Sequence, residues 1–72
     1  MNYIDKIKST REDHDETQRE LAMALGINHI QWAKYESGKN ELPLRYLLQF
    51  CMHYHVSADY ILGLPKGLDW PR

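Results

Sequence analysis

Cys51, His53 and His55 are the residues whose types come nearest to a metal centre or a nucleophilic site. On a helix Cys51 and His55 share a face at i and i+4, whereas His53 points elsewhere. A structural zinc site takes about four ligands, and no second pair is spaced to complete one. Paired-carboxylate chemistry would fall to Asp13, Asp15 and Glu16. That acidic run follows the first helical stretch and reads as a solvated cluster favouring the N-terminus of the next helix. Neither a phosphate-cradling glycine loop nor a nucleophile elbow is present. A chain of 72 residues also has too small a core to bury a reaction. The expectation is a protein with no enzymatic activity, cofactor or metal. Tyr46, Tyr54 and Tyr60 read as core or rim residues, not as a stacking platform for single-stranded bases. His14 reads as a loop residue.

What remains is binding chemistry, and the elements that would position it show in caps and breakers. The prolines at 43, 65 and 71 and the glycines at 26, 38, 63 and 67 cut the chain into helix-length pieces. The first runs from about Asn2 to Asp13, with Ile4, Ile7 and Arg11 on one side. Thr17 caps the second, and Glu20 three residues later completes a capping box. Leu21, Ala22 and Leu25 share its face, and Gly26 stops it as a residue free to take positive φ. Asn28 caps the third, His29 to Glu36, whose Trp32 and Tyr35 point inward. Ser37 to Asn40 is a turn.

The fourth helix starts near Pro43 as a first-turn proline and ends around His55. Its predicted buried stripe is Leu44, Leu47, Leu48, Cys51 and His55, widened by Phe50 and Tyr54. Ser57 caps a short fifth helix, Ala58 to Leu62, closed by Gly63. The expected fold is all-α, a compact bundle of five short helices. Domain organisation follows as residues 1–64 plus a C-terminal tail, 65–72, expected to be extended or loosely packed.

The second helix ends at Gly26 and the third begins at Asn28. So short a turn forces a steep crossing, which is helix-turn-helix geometry. The second member of such a pair can lie in the DNA major groove with its N-terminal residues at base edges.

Several blocks in order carry a wider likeness. The run Thr17-Gln18-Arg19-Glu20-Leu21-Ala22, then Leu25-Gly26-Ile27, then Tyr35-Glu36-Ser37-Gly38-Lys39, then Pro43, resembles the Cro/repressor-type helix-turn-helix family, also called Xre-type. Val56 to Gly63 resembles that family's closing helix, so the resemblance covers residues 4–64. It implies a lambda-repressor-like bundle with the helix-turn-helix at helices two and three. It also implies DNA contacts at Thr17 and Gln18, with Gln18 donating to a backbone phosphate at a helix N-terminus. Asn28 would cap the recognition helix and touch phosphate. His29 and Ile30, then Ala33 and Lys34, match the outward recognition positions. Ser37, Lys39 and Asn40 match the loop that clasps the backbone, and Arg45 a further phosphate contact. Arg11 and Glu36 resemble a structural ion pair tying helix one to the end of helix three.

The sequence departs from the family pattern at Ile30 and Ala33, where polar readers are usual, and at Trp32, larger than the usual residue there. Apolar groups can read a thymine methyl, so hydrogen-bonded readout would rest on His29, Gln31 and Lys34.

The net charge of −1 does not advertise a polyanion partner. Its distribution is uneven. Residues 1–16 set Lys6, Lys8 and Arg11 against Asp5, Glu12, Asp13, Asp15 and Glu16, a net −2. Residues 17–45 set Arg19, Lys34, Lys39 and Arg45 against Glu20, Glu36 and Glu41, a net +1. The lone Cys51 suits a reducing compartment. The N-terminus, Met1 to Lys6, has no signal-peptide pattern. No apolar run approaches the roughly 20 residues that span a bilayer.

These features together lead to an expectation of a cytoplasmic, sequence-specific regulator, a repressor, binding a palindromic double-stranded operator as a homodimer. Leu64, Leu68 and Trp70 are candidates for the pairing surface or for folding back on the body. The alternative is a protein-interaction module of the same fold, antirepressor or antitoxin-like, with a protein partner in place of strong DNA binding.

Overall fold

The computed structural model describes residues 2–64. They form α1 (Tyr3–Asp13), α2 (Gln18–Leu25), α3 (His29–Glu36), α4 (Leu44–Tyr54) and α5 (Ala58–Leu62). No strand occurs among the described residues. The tail reading and its candidates Leu68 and Trp70 lie outside them.

Local chemistry sets most helix ends. Asn2, Asn28 and Ser57 each accept a first-turn backbone N–H of their helix. The Thr17 box is complete: Oγ1 accepts the Glu20 N–H at 3.1 Å, and Glu20 Oε1 accepts the Thr17 N–H at 2.9 Å. At the other end of α2, Gly26 sits at φ 72°. The Ile27 N–H reaches back to the Ala22 carbonyl at 2.9 Å, closing a Schellman turn. Pro43 is not the first helical residue. Its ψ of 145° is extended, and it precedes the helix as the cap position.

The core gathers Ile7 of α1, Leu21 and Ala22 of α2, Trp32 and Tyr35 of α3, Leu47, Phe50, Cys51 and Tyr54 of α4, and Ile61 of α5. Trp32 and Phe50 are fully buried and stack at 6.0 Å between ring centroids. On α1, Ile7, Thr10 and Arg11 are buried while Ile4 is half-buried.

The buried arc of α4 is rotated from the predicted stripe. Leu47, Phe50, Cys51 and Tyr54 face inward, whereas Leu44 and Leu48 are 79% and 60% exposed and His55 is outside. The sequence offers apolar residues around most of this helix. The large rings of Phe50 and Tyr54, facing Trp32 and His14, select which side turns in.

The acidic run is also less open than expected. Asp15 takes a left-handed φ of 57°, which turns Glu16 back toward α4. Glu16 Oε1 accepts the Tyr54 hydroxyl at 2.7 Å and His53 Nε2 at 2.9 Å. His14 caps α1, donates from Nδ1 to the Thr10 carbonyl at 2.8 Å and lies against the Tyr54 ring. Glu16 and His14 are thus structural residues of the bundle.

Candidate nucleic-acid interface

α2 packs on α3 across the Gly26 turn, and together they form a helix-turn-helix. Its geometry is anchored on the Glu36 carboxylate at the end of α3. Arg11 grips both oxygens, Nε to Oε2 at 2.8 Å and Nη2 to Oε1 at 3.1 Å. Trp32 Nε1 donates to Oε2 at 2.6 Å, and Gln18 Nε2 to Oε1 at 3.0 Å. Arg11 Nη1 also donates to the Glu16 carbonyl at 2.7 Å. One carboxylate therefore joins α1, α2 and α3. Burial pushes the Glu36 carboxyl up, but the bonds from Arg11, Gln18 and Trp32 and the Arg11 charge outweigh it and hold it below its ordinary value. The hydrogen bond to Glu36 in turn raises the Arg11 guanidinium above its usual range.

The predicted contact residues fall into groups. Gln18 is half-buried, with one amide N–H committed to Glu36. It is positioned at the N-terminus of α2 and keeps its second N–H. Asn28 is exposed, and its Oδ1 accepts the Ile30 N–H at 2.8 Å. His29, Ala33 and Lys34 are half-buried on α3, and Ile30 is exposed. Trp32 and Tyr35 fill the opposite, buried face, which is why these positions turn outward.

Much of the loop after α3 closes on one acceptor. The Lys34 carbonyl takes the Lys39 N–H, the Asn40 N–H and the Ser37 hydroxyl at 3.0, 3.2 and 3.1 Å. Ser37 Oγ also accepts the Lys39 N–H at 3.4 Å, so its hydroxyl is spent inside the loop. The side chains of Lys39 and Asn40 remain exposed. Arg45 is exposed and lies over the Tyr46 ring, 4.9 Å from its centroid.

Two features of the site escaped the sequence. One is the link from Gln18 to Glu36, residues on different helices. The other is Arg19, exposed on α2 with Nη2 at 3.5 Å from His29 Nε2 on α3. Its signal was its place in the first turn of the helix preceding the recognition positions. Cys51, His53 and His55 do not converge: Cys51 is buried, His53 bonds Glu16, and His55 is exposed at the end of α4. Burial pushes the Cys51 thiol up, the opposite of an activated nucleophile.

No family model matches the chain. It is 36% identical over 67 residues to YobD of Bacillus subtilis (strain 168), named an uncharacterized HTH-type transcriptional regulator; the match takes in 93% of this chain and 60% of that protein. It is 35% identical over 63 residues to Antitoxin PezA of Streptococcus pneumoniae serotype 4, over 88% of this chain and 40% of that protein. The chain thus spans about half the length of these curated relatives. No helix among the described residues is long and apolar enough to cross a membrane.

Proposed function

We propose that this chain is a Cro/repressor-type regulator that binds double-stranded operator DNA in the cytoplasm and represses transcription. α3 lies in the major groove; Gln18, Asn28, Lys39, Asn40 and Arg45 meet phosphates, and His29, Ile30, Ala33 and Lys34 meet bases. The observation that carries this reading is the outward end of α3 held on a hydrogen-bonded frame, with Gln18 of α2 bonded to Glu36 of α3. Phosphate contacts position and base contacts specify; the base set comes from α3, and the phosphate set from the start of α2, the cap of α3, the loop after it and the start of α4. Similarity to a protein named an HTH-type transcriptional regulator supports the same reading. A domain this small binds as a homodimer, with half-sites about one helical turn apart, roughly 10 bp.

A second reading keeps the fold and replaces DNA by a protein partner. The similarity to an antitoxin and the net charge of −1 favour it. Selection from a random duplex library with the purified chain, followed by titration at several salt concentrations, separates the two. A DNA reader enriches one motif, and its affinity falls with salt by a log–log slope of about −0.9 per phosphate neutralised. Enrichment of no motif overturns the DNA reading and leaves the protein-partner one.

A further inference from the structure

The first residue of α3 is flanked by a side chain from α2. Arg19 Nη2 lies 3.5 Å from His29 Nε2, a long contact open to solvent. Its chemistry is one-sided. A guanidinium carries donors only and keeps its proton in proteins. Across this contact, the ring form with its proton on Nδ1 is the one that presents an acceptor, Nε2, to the guanidinium. Asn28 is turned the same way: its Oδ1 accepts the Ile30 N–H, so its uncommitted group is the Nδ2 amide. Glu20, next to Arg19, has its Oε1 engaged by the Thr17 N–H. This end of α3 therefore offers hydrogen-bond donors from Arg19, Asn28 and His29 side by side.

We propose that Arg19 and His29 act as one unit that reads a guanine, Arg19 fixing the His29 tautomer and donating to the same base. The inference rests on the DNA reading above and assigns a specificity role to a residue outside the resemblance-based contacts. In the major groove guanine shows two acceptors, N7 and O6. Cytosine presents an amino donor, adenine one acceptor beside an amino donor, and thymine a single acceptor, so guanine alone meets two donors side by side. Ile30, 59% exposed and next along α3, supplies the apolar surface suited to a thymine methyl in an adjoining pair. The half-site is thus a guanine beside a thymine.

The test runs the wild-type chain, R19A, H29A and R19A/H29A through the same random-duplex selection. Each is then titrated on the enriched site and on versions with single base pairs replaced, with circular dichroism to confirm unchanged helices. The wild type is expected to enrich a guanine at one half-site position. R19A and H29A each lower the preference for that guanine by roughly tenfold, and the double variant loses no more than either alone. If R19A instead weakens every sequence equally and lowers the salt slope by about one phosphate, Arg19 touches only backbone and the inference fails while the DNA reading stands. A wild-type motif whose guanine preference is untouched by R19A, or that has no such guanine, also overturns it. A wild-type chain that enriches nothing overturns the DNA reading itself.

Discussion

Trp32 Nε1 donates to Glu36 Oε2 at 2.6 Å, one turn further along the same helix. A buried indole needs an acceptor for its N–H, and here that acceptor is the carboxylate that Arg11 also grips. The unusually large Trp32 is thereby accommodated without an unsatisfied donor. Among the described residues no buried side-chain polar atom lacks a partner. The same carboxylate fixes Gln18, so packing of the core and aim of the candidate interface are one arrangement.

Replacing Glu36 with alanine strips the acceptor from Arg11, Trp32 and Gln18 together. A buried guanidinium left without its partner costs about 3–5 kcal/mol. Small domains have about 5 kcal/mol or little more in total. Urea unfolding should show E36A close to unfolded in buffer at 25 °C. A loss below about 1 kcal/mol would contradict the burial of this pair.

Acid should unfold the protein through two glutamates. Glu36 is held below its ordinary value by its donors, which outweigh its burial. Glu16 is held below by the Tyr54 hydroxyl first and His53 second. For a carboxyl with a depressed folded value, the stability it contributes is fully present above the ordinary glutamate value. That contribution is lost as pH falls through the ordinary value to the lower folded one. Urea midpoints measured from pH 7 downwards should therefore fall below about pH 5. E16Q should flatten part of that slope. An unchanged slope in E16Q would remove Glu16 from the account.

His55 ends α4 at φ 56° and ψ 44°, a left-handed conformation that costs a side chain about 1 kcal/mol. The Val56 N–H still closes the turn on the Cys51 carbonyl at 3.0 Å, so the geometry suits glycine. H55G should stabilise the protein by about 0.5–1 kcal/mol, raising Tm by roughly 2–8 °C in a domain of this size. Differential scanning calorimetry measures it, and a lowered Tm would mean that His55 makes a contact worth more than the strain.

Lys39 and Gln18 should behave differently although both are proposed to meet phosphate. The exposed Lys39 side chain supports nothing in the fold, so K39A should keep wild-type stability and lower the salt slope of DNA binding by about one. Gln18 also bonds Glu36, so Q18A should lose about 1 kcal/mol of stability as well as affinity. DNA affinity unchanged in the double variant would refute the proposed contacts.

Caps and breakers in the chain set where most of the helices start and stop, and so which residues form the helix-turn-helix. The Thr17 box, the Asn28 and Ser57 caps and the Gly26 turn join residues within a few positions of each other. Interactions that local act the same way wherever the segment sits. The Arg11–Glu36 pair was visible only through resemblance to a family. Packing between helices chose the face that α4 buries, the capture of Glu16 by Tyr54, the tie from Gln18 to Glu36 and the approach of Arg19 to His29. A helix apolar on most sides has no preferred inward face until its neighbours arrive. A polar side chain likewise has no fixed partner until packing brings one within about 3 Å. The frame of the candidate interface was therefore legible in the chain, whereas the direction of its hydrogen bonds was set by the bundle.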